Sequence, residues 1–182
     1  MSQGTKQKTA FIDRDGTLIE EVNFLSRVED LRLFDFTQRS VDLLRSNGFR
    51  VVIVTNQSGI ARRLYDESAM NAIHDEIQKR LSGAISGFYF CPHLPNSGCK
   101  CRKPNLGMIE AACSDFDVDL ENSWIIGDKS LDVETGFNAG IKSAMVMTGY
   151  GREHIDRLEK RPDVIAEDLL EAVNKIISVP AS

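Results

Sequence analysis

Two aspartates separated by one residue follow a short apolar run near the start of the chain, in the segment Asp13-Arg14-Asp15-Gly16-Thr17. Because Gly16 lets the chain turn sharply, both carboxylates can stay at one strand end. One carboxylate can attack a phosphorus atom while the other moves protons. A phosphate dianion repels such a nucleophile, so the reaction needs a cation such as Mg²⁺, which prefers oxygen ligands. The alternative is an acidic turn without chemistry.

Two later segments offer groups that suit a phosphoryl group. Thr55-Asn56-Gln57-Ser58-Gly59 presents hydroxyl, amide and backbone N–H donors after a second apolar run. Arg102-Lys103-Pro104 supplies adjacent cations that can neutralise a reacting phosphate and bind a further anionic group. The alternatives are an ordinary strand-to-helix turn for the first segment and a solvated surface pair for the second.

A third acidic segment, Gly127-Asp128-Lys129-Ser130-Leu131-Asp132, follows another apolar run. Asp128 is a candidate metal ligand, and Asp132 could orient Lys103 or hold a metal-bound water. Both acids could instead cap the helix that begins near Ser130. Of the two, Asp132 is the better candidate for this structural role.

Three cysteines and a histidine lie within eleven residues, in the loop 91–101. The candidate ligands are Cys91, His93, Cys99 and Cys101. Three thiolates and one imidazole form a closed tetrahedral set for Zn²⁺, which leaves no position open for water. We therefore expect a structural zinc that fixes the loop leading into the two cations. A disulfide is the alternative, but a reducing compartment disfavours it.

Short apolar runs alternate with amphipathic stretches along the chain, and several runs end in polar residues. The runs predict six strands, at 9–12, 50–54, 87–90, 123–126, 143–147 and 163–165. The amphipathic stretches predict helices at 37–47, 67–81, 107–115, 131–138 and 168–177. This alternation indicates an α/β fold with one doubly wound, Rossmann-like parallel sheet. Ligands of such sheets bind at the carboxyl ends of the strands, where the candidate residues lie.

Length and composition narrow the class of protein. The 182 residues suit one domain covering 1–182, with residues 1–8 expected to be disordered. A net charge of −5 argues against nucleic-acid binding, and no apolar run is long enough to cross a membrane. The polar start of the chain does not look like a secretory signal, so we expect a cytoplasmic location. We also expect a monomer, and His74 is interpreted as a surface residue.

Together, the four acidic, hydroxyl, cationic and acidic segments resemble the haloacid dehalogenase superfamily of phosphotransferases over about residues 9–150. The resemblance implies that Asp13 is the nucleophile and that Asp15 is the acid/base. It also implies that Thr55 and Lys103 stabilise the phosphoryl group. The Mg²⁺ ligands would be Asp13, Asp15 through its backbone carbonyl, and Asp128. The segment 18–36 is too short for a folded cap, which implies a capless fold with a zinc loop.

Within that superfamily, the motifs and the zinc loop look like those of the D,D-heptose 1,7-bisphosphate 7-phosphatase family. The implied substrate is a small sugar bisphosphate used to make bacterial surface glycans. The implied substrate contacts are Glu21, Val22, Asn23, Phe24, Asn56, Gln57, Arg102 and Lys129. The family often has glycine and tyrosine where this chain has Asn23 and Phe24, and often proline at the position of Leu106.

Other functions stay open at the level of the sequence. Histidinol-phosphate phosphatases share the superfamily motifs and a similar loop, but a second phosphate on the substrate better explains the extra cation Lys129. Glu20 and Glu21 would suit the amine of a histidinol-like substrate. A non-catalytic zinc-binding interaction module is less favoured because every expected catalytic position is filled. A nucleic-acid 3'-phosphatase is disfavoured by the acidic net charge.

Overall fold

Six parallel strands form a single sheet in the computed structural model, which describes residues 6–179. The strands are β1 (Gln7–Ile12), β2 (Arg50–Asn56), β3 (Gly87–Cys91), β4 (Val118–Gly127), β5 (Lys142–Val146) and β6 (Val164–Ala166). Their spatial order is β3-β2-β1-β4-β5-β6, so β1 lies inside the sheet between β2 and β4. This order confirms the predicted doubly wound fold.

Helices connect the strands. They are α1 (Thr37–Ser46), α2 (Glu67–Arg80), α3 (Gly107–Asp115), α4 (Ser130–Ala139), α5 (Gly151–His154) and α6 (Leu169–Ile177). Asp66 caps α2 by accepting a hydrogen bond from the backbone N–H of Ala69 at 2.9 Å, as its sequence position indicates. No helix in the described part of the chain is both long and apolar enough to cross a bilayer.

The two faces of the sheet bury alternate residues of each strand. From β1, Ala10 and Ile12 pack into a core with Leu44 of α1 and Val173 of α6. Phe11, between them, packs into the core on the opposite face, which includes residues of α3. Because both faces are covered, the strands are nearly continuous apolar runs, which is why their positions could be read from the sequence.

Two predicted boundaries are wrong. The expected disorder of residues 1–8 fails at residues 7 and 8, which belong to β1 and pair with residues 118 and 119; residues 1–5 lie outside the described residues. The fourth strand begins at Val118 rather than at residue 123. Its first half, 118–122, contains three polar residues and an exposed leucine, so it lacks the continuous apolar signal that marks its second half.

The segment between β1 and α1 contains one short 3-10 helix, Val28–Asp30, and no inserted domain. Leu18, Leu25 and Leu31 of this segment are fully or almost fully buried. The segment therefore packs against the sheet by its leucines. It leaves residues 21–24 along the edge of a cleft at the carboxyl ends of the strands.

Candidate active site

The candidate chemistry lies in one cleft at the carboxyl ends of β1, β2 and β4, together with the loop that follows β3. The cleft is lined by Asp13, Asp15, Glu21, Val22, Asn23, Phe24, Leu25, Thr55, Asn56, Gln57, Ser58, Tyr65, Arg102, Lys103, Lys129, Leu131, Asp132 and Tyr150. All of the predicted catalytic and substrate-binding residues are in this set. The loops therefore converge as the strand-end argument predicts.

Asp13 directly follows β1 and is almost completely buried. Its Oδ1 accepts a hydrogen bond from the backbone N–H of Arg14 at 2.9 Å and lies 3.0 Å from Nζ of Lys103. Burial opposes ionisation of Asp13, but the charges of Lys103 and Lys129 outweigh it and lower the pKa of this carboxyl. Asp13 is therefore an anion at neutral pH, which is the form that a nucleophile or a metal ligand needs.

Lys103 is buried among oxygen atoms. Its Nζ lies 2.5 Å from Oδ1 of Asp132, 2.9 Å from the carbonyl of Val54 and 3.0 Å from Asp13. Burial opposes the charge, but the two carboxylates outweigh it and raise the pKa of Lys103. Asp132 thus orients Lys103, and it also accepts from the backbone N–H of Lys129 at 3.0 Å at the start of α4. Two of the three roles considered for Asp132 from the sequence, orienting Lys103 and capping the helix, are present.

Asp15 is held by donors on two sides. Arg14 forks onto its carboxylate, with Nε 3.1 Å from Oδ2 and Nη2 3.0 Å from Oδ1. Gln57 donates from Nε2 to Oδ2 at 2.7 Å, and Thr55 donates from Oγ1 to the same oxygen at 3.4 Å. Asp15 is half-buried at the edge of the cleft, so its carboxylate is fixed yet reachable from the cleft.

A cluster of carboxylates beside Asp13 has the composition of a divalent-cation site. Oxygen atoms of Asp13, Asp128 and Asp132 lie within 4.8 Å of one another, and all three residues are buried. Burial, followed by the charge of Asp13, raises the pKa of Asp128 to about 7. The negative charge here is therefore incompletely neutralised, and oxygen donors of this kind suit Mg²⁺. The residues present fit the predicted ion.

Lys129 points its ammonium group at all three predicted Mg²⁺ ligands. Its Nζ lies 3.2 Å from Oδ1 of Asp128, 3.5 Å from the backbone carbonyl of Asp15 and 3.6 Å from Oδ2 of Asp13. Nζ is also 3.6 Å from Oε2 of Glu21 across the cleft. These carboxylates raise the pKa of Lys129 despite its burial.

The side chains predicted to contact substrate differ in how many of their hydrogen-bonding groups are already used within the protein. Arg102 lies at the edge of the cleft and donates from Nη1 to the carbonyl of His93 at 3.2 Å. Asn56 uses its side-chain amide on the backbone of Lys103, accepting from the N–H at 3.0 Å and donating to the carbonyl at 3.3 Å. The amide N–H of Gln57 is turned toward Asp15. The two amides therefore hold Lys103 and Asp15 in place.

The four predicted zinc ligands form a compact group. Sγ of Cys91 lies 3.6 Å from Sγ of Cys99 and 3.5 Å from Nδ1 of His93, which lies 3.3 Å from Sγ of Cys101. The edge of a tetrahedron with zinc–sulfur bonds of about 2.3 Å is roughly 3.8 Å, so these separations fit one shared ion. All four cysteines are free thiols rather than disulfides.

Tyr65, Tyr150 and His74 lie at or beside the site and were given no role there from the sequence. Tyr65 and Tyr150 line the cleft. The backbone N–H of Tyr150 donates to Oδ2 of Asp128 at 2.8 Å, which places the loop after β5 against the acidic cluster. His74, interpreted above as a surface residue, is instead 5% exposed and contacts Arg14. Only the glycines flanking Tyr150 marked its loop in the sequence.

Comparison with known proteins places this fold in a class. The HAD-hydrolase-like family model matches residues 100–172. The crystal structure of D,D-heptose 1,7-bisphosphate phosphatase from B. bronchiseptica, complexed with magnesium and phosphate, superposes with a TM-score of 0.86 at 30% identity. It covers 93% of this chain and 98% of that chain. The fold and the site are thus those of a HAD-like hydrolase.

Sequence relatives narrow the class. D-glycero-D-manno-heptose-1,7-bisphosphate 7-phosphatase of Thermosynechococcus vestitus is 37% identical over 183 residues, covering 91% of this chain and 93% of that protein. D-glycero-alpha-D-manno-heptose-1,7-bisphosphate 7-phosphatase of Photorhabdus laumondii is 34% identical over 189 residues, covering 96% and 99%. This chain belongs to the D-glycero-D-manno-heptose-1,7-bisphosphate 7-phosphatase family, as its motifs indicated.

Proposed function

We propose that this protein hydrolyses the C7 phosphate of D-glycero-D-manno-heptose 1,7-bisphosphate through a phosphoaspartate on Asp13. The observation that carries the proposal is the buried Asp13, Lys103 and Asp128 arrangement, in a chain similar over nearly its whole length to phosphatases named for this substrate. Asp13 is anionic and faces a cleft, and a fixed second carboxylate lies two residues away. These are the parts that phosphoryl transfer in two steps requires.

In the first step, Asp13 attacks phosphorus and the bond to the sugar oxygen breaks. Asp15 gives its proton to that leaving oxygen. Thr55 and Lys103 stabilise the negative charge of the transferring group with a hydroxyl and an ammonium group. In the second step, water attacks the phosphorus of the acyl phosphate and Asp15 takes the proton of that water. Inorganic phosphate and the Asp13 carboxylate are the products.

The metal ions belong to the same proposal. Asp13, Asp128 and the backbone carbonyl of Asp15 would hold Mg²⁺, which supplies charge neutralisation for the phosphate dianion. Cys91, His93, Cys99 and Cys101 would hold Zn²⁺ in a structural role. The support is the chemistry of the two donor sets, all oxygen in one and mainly sulfur in the other.

Arg102, Lys129 and residues 21–24 would contact the substrate. The remaining N–H groups of Arg102 suit the second phosphate, because a guanidinium can bind a phosphate through two parallel hydrogen bonds. Lys129 would balance the charge of the reacting phosphate. The predictions of a monomer and of a cytoplasmic location stay predictions.

The decisive experiment measures phosphate release with Mg²⁺ from heptose 1,7-bisphosphate and, in parallel, from histidinol phosphate. We expect kcat/KM to favour the bisphosphate by at least about a hundredfold, or ~2.7 kcal/mol in transition-state binding. The reverse preference would keep the two-step chemistry and replace the substrate. Release from neither compound would refute the proposed function.

Asp13→Asn tests the mechanism. The change is nearly isosteric but removes the nucleophile, so turnover should disappear while the circular dichroism spectrum stays that of the wild type. Asp75→Asn is the matched control, because it makes the same chemical change at an exposed position of α2. Full activity in Asp13→Asn, or an equal loss in Asp75→Asn, would contradict the assignment. Absence of Mg²⁺-dependent phosphate release from the wild type would instead leave a zinc-binding interaction module as the better interpretation.

A further inference from the structure

Arg14, the residue between the two aspartates, is almost completely buried although its side chain is large and charged. Two of its nitrogens bind the Asp15 carboxylate, and the third, Nη1, lies 3.2 Å from Nε2 of His74. The guanidinium therefore connects Asp15 to a buried residue of α2. These contacts with Asp15 and His74 account for the burial of the Arg14 guanidinium without a bound substrate or metal.

The contact between Arg14 and His74 is consistent with only one protonation state of the imidazole. A guanidinium carries donors and no acceptor, so Nε2 of His74 must accept through its lone pair and the ring proton must be on Nδ1. Burial, followed by the charge of Arg14, lowers the pKa of His74 to about 3. His74 is therefore a neutral acceptor of fixed tautomer at physiological pH.

Packing fixes the ring of His74. It stacks on Phe88 of β3 with centroids 4.5 Å apart and an angle of 17° between the planes. Its neighbours Ile73 and Ile77 on α2 are fully buried. The acceptor atom is thus held by a helix and a strand rather than by a loop, which makes its position precise.

The opposite side of Asp15 is supported in a similar way. Gln57, which donates to Asp15, accepts at Oε1 from the hydroxyl of Tyr65 at 2.5 Å. Gly59 lies against the ring of Tyr65 so closely that an added Cβ would be 2.2 Å from Cε1. Two separate chains of contacts therefore converge on one carboxylate.

We propose that Arg14 and His74 form a positioning pair, in which the buried imidazole orients the guanidinium and the guanidinium holds Asp15 for its proton transfers. The inference rests on the acid/base role of Asp15 in the proposed function. His74 acts through Arg14 and touches no substrate. Its removal should therefore lower kcat and leave KM largely unchanged.

Three variants separate positioning from packing. His74→Phe keeps a ring against Phe88 but deletes the acceptor, whereas His74→Gln retains an acceptor near the former Nε2. Arg14→Lys keeps the charge but loses the fork onto Asp15. We expect kcat to fall on the order of a hundredfold in His74→Phe and Arg14→Lys, because small misplacements of a catalytic group have effects of that size. His74→Gln should restore kcat to within about threefold of the wild type, since it keeps the hydrogen bond.

The kinetics should be run with heptose 1,7-bisphosphate and also with p-nitrophenyl phosphate, so that the result does not depend on the sugar. Asp15→Asn separates a failure of the positioning pair from a failure of the proposed mechanism. If Asp15→Asn is inactive while His74→Phe keeps its kcat, the positioning pair is refuted and the proposed mechanism stands. If Asp15→Asn is fully active, both are refuted. Equal losses in His74→Phe and His74→Gln would also overturn the pair, because the acceptor would then be irrelevant.

A measurement without turnover covers the case in which a variant does not fold. The ¹⁵N chemical shifts of His74 in the wild-type protein should show the proton on Nδ1 and an unprotonated Nε2 throughout pH 5–8. A proton on Nε2, or titration of the ring near pH 6.5, would contradict the hydrogen bond with Arg14 on which the proposal depends.

Discussion

Replacing Lys103 with methionine should destabilise the protein strongly, because it removes a buried ammonium group that contacts two buried carboxylates. Nζ of Lys103 contacts Asp132 at 2.5 Å and Asp13 at 3.0 Å, and both carboxylates are almost fully buried. Breaking a buried ion pair by removing one partner typically costs about 3–5 kcal/mol. For a chain of this length, such a loss lowers the melting temperature by about 6–20 °C.

The loss should also depend on pH. The pKa of Asp13 is lowered from 3.8 and that of Lys103 is raised from 10.5, so the wild-type pair keeps its full contribution between these pH values. In Lys103→Met, Asp132 loses its ion-pair contact at 2.5 Å, and Asp13 keeps the more distant Lys129 at 3.6 Å, so both carboxylates take up protons more readily. The difference in unfolding free energy between the two proteins should therefore shrink as the pH falls from 7 to 5, by at most about 1.4 kcal/mol per pH unit for each proton taken up.

Urea unfolding in the presence of a chelator, followed by fluorescence of the buried Trp124, measures this difference. Lys79→Met is the matched control, because Lys79 forms a solvent-exposed pair with Glu76 at 3.7 Å and its loss should hardly change the free energy of unfolding. The double variant Lys103→Met/Asp132→Asn should be less destabilised than the sum of the single variants. A loss below about 1 kcal/mol in Lys103→Met, or one that grows at acid pH, would refute the reasoning.

Three further predictions concern the zinc loop, His74 and Gly16. Cys99→Ser should reduce the amount of bound zinc, measured by atomic absorption, and lower the melting temperature. Cys113 lies outside the cluster, so Cys113→Ser should retain one zinc per chain. Equal zinc contents in the two variants would contradict the site. Because the pKa of His74 is lowered from 6.5 to about 3, only the unfolded chain takes up this proton near pH 5. Between pH 8 and pH 5, the free energy of unfolding of the wild type should therefore fall by about 2 kcal/mol more than that of His74→Gln. Equal falls in the two proteins, measured by urea unfolding at each pH, would disprove this. Gly16 and Gly83 both have φ near +80°, but only a Cβ at Gly16 would meet a carboxylate oxygen, at 2.3 Å. Gly16→Ala should therefore destabilise by more than the ~1 kcal/mol expected for Gly83→Ala, and equal losses in urea would show that the close contact does not matter.

The strands and the positions of the cleft residues could be predicted because they produce local signals. Asp13, Thr55 and Asp128 each follow a buried strand directly, and parallel strands bring their carboxyl ends to one edge of the sheet. The helix α5 could not be predicted, because the four residues of Gly151–His154 are too few to show a helical period. The start of β4 was missed for a related reason, since three of its first five residues are polar and Leu120 among them is exposed, so no continuous apolar run marks it.

His74 shows what a single sequence leaves out. Its position on α2 gives it buried neighbours, but a histidine on such a face reveals nothing about its partner. The partner, Arg14, is 60 residues away and is itself a charged residue that composition would place at the surface. Likewise, Gln57 and Asn56 were predicted to contact substrate from their segment, whereas their amides are directed by tertiary contacts toward Asp15 and Lys103.

The placement of β1 between β2 and β4 also determines when the protein can become active during folding. The backbone N–H of Asp13 is bound by the carbonyl of Ile126, and Thr9 of the same strand is bound by Ser123, 114 residues later. A growing chain on the ribosome can pair β1 with β2 early, but Asp13 stays without its neighbour on the other side until β4 has emerged. Contacts that span so much sequence form slowly. Recovery of phosphatase activity after dilution from denaturant would thus report the closing of the long-range β1–β4 pairing, which far-ultraviolet signals from the helices would not detect.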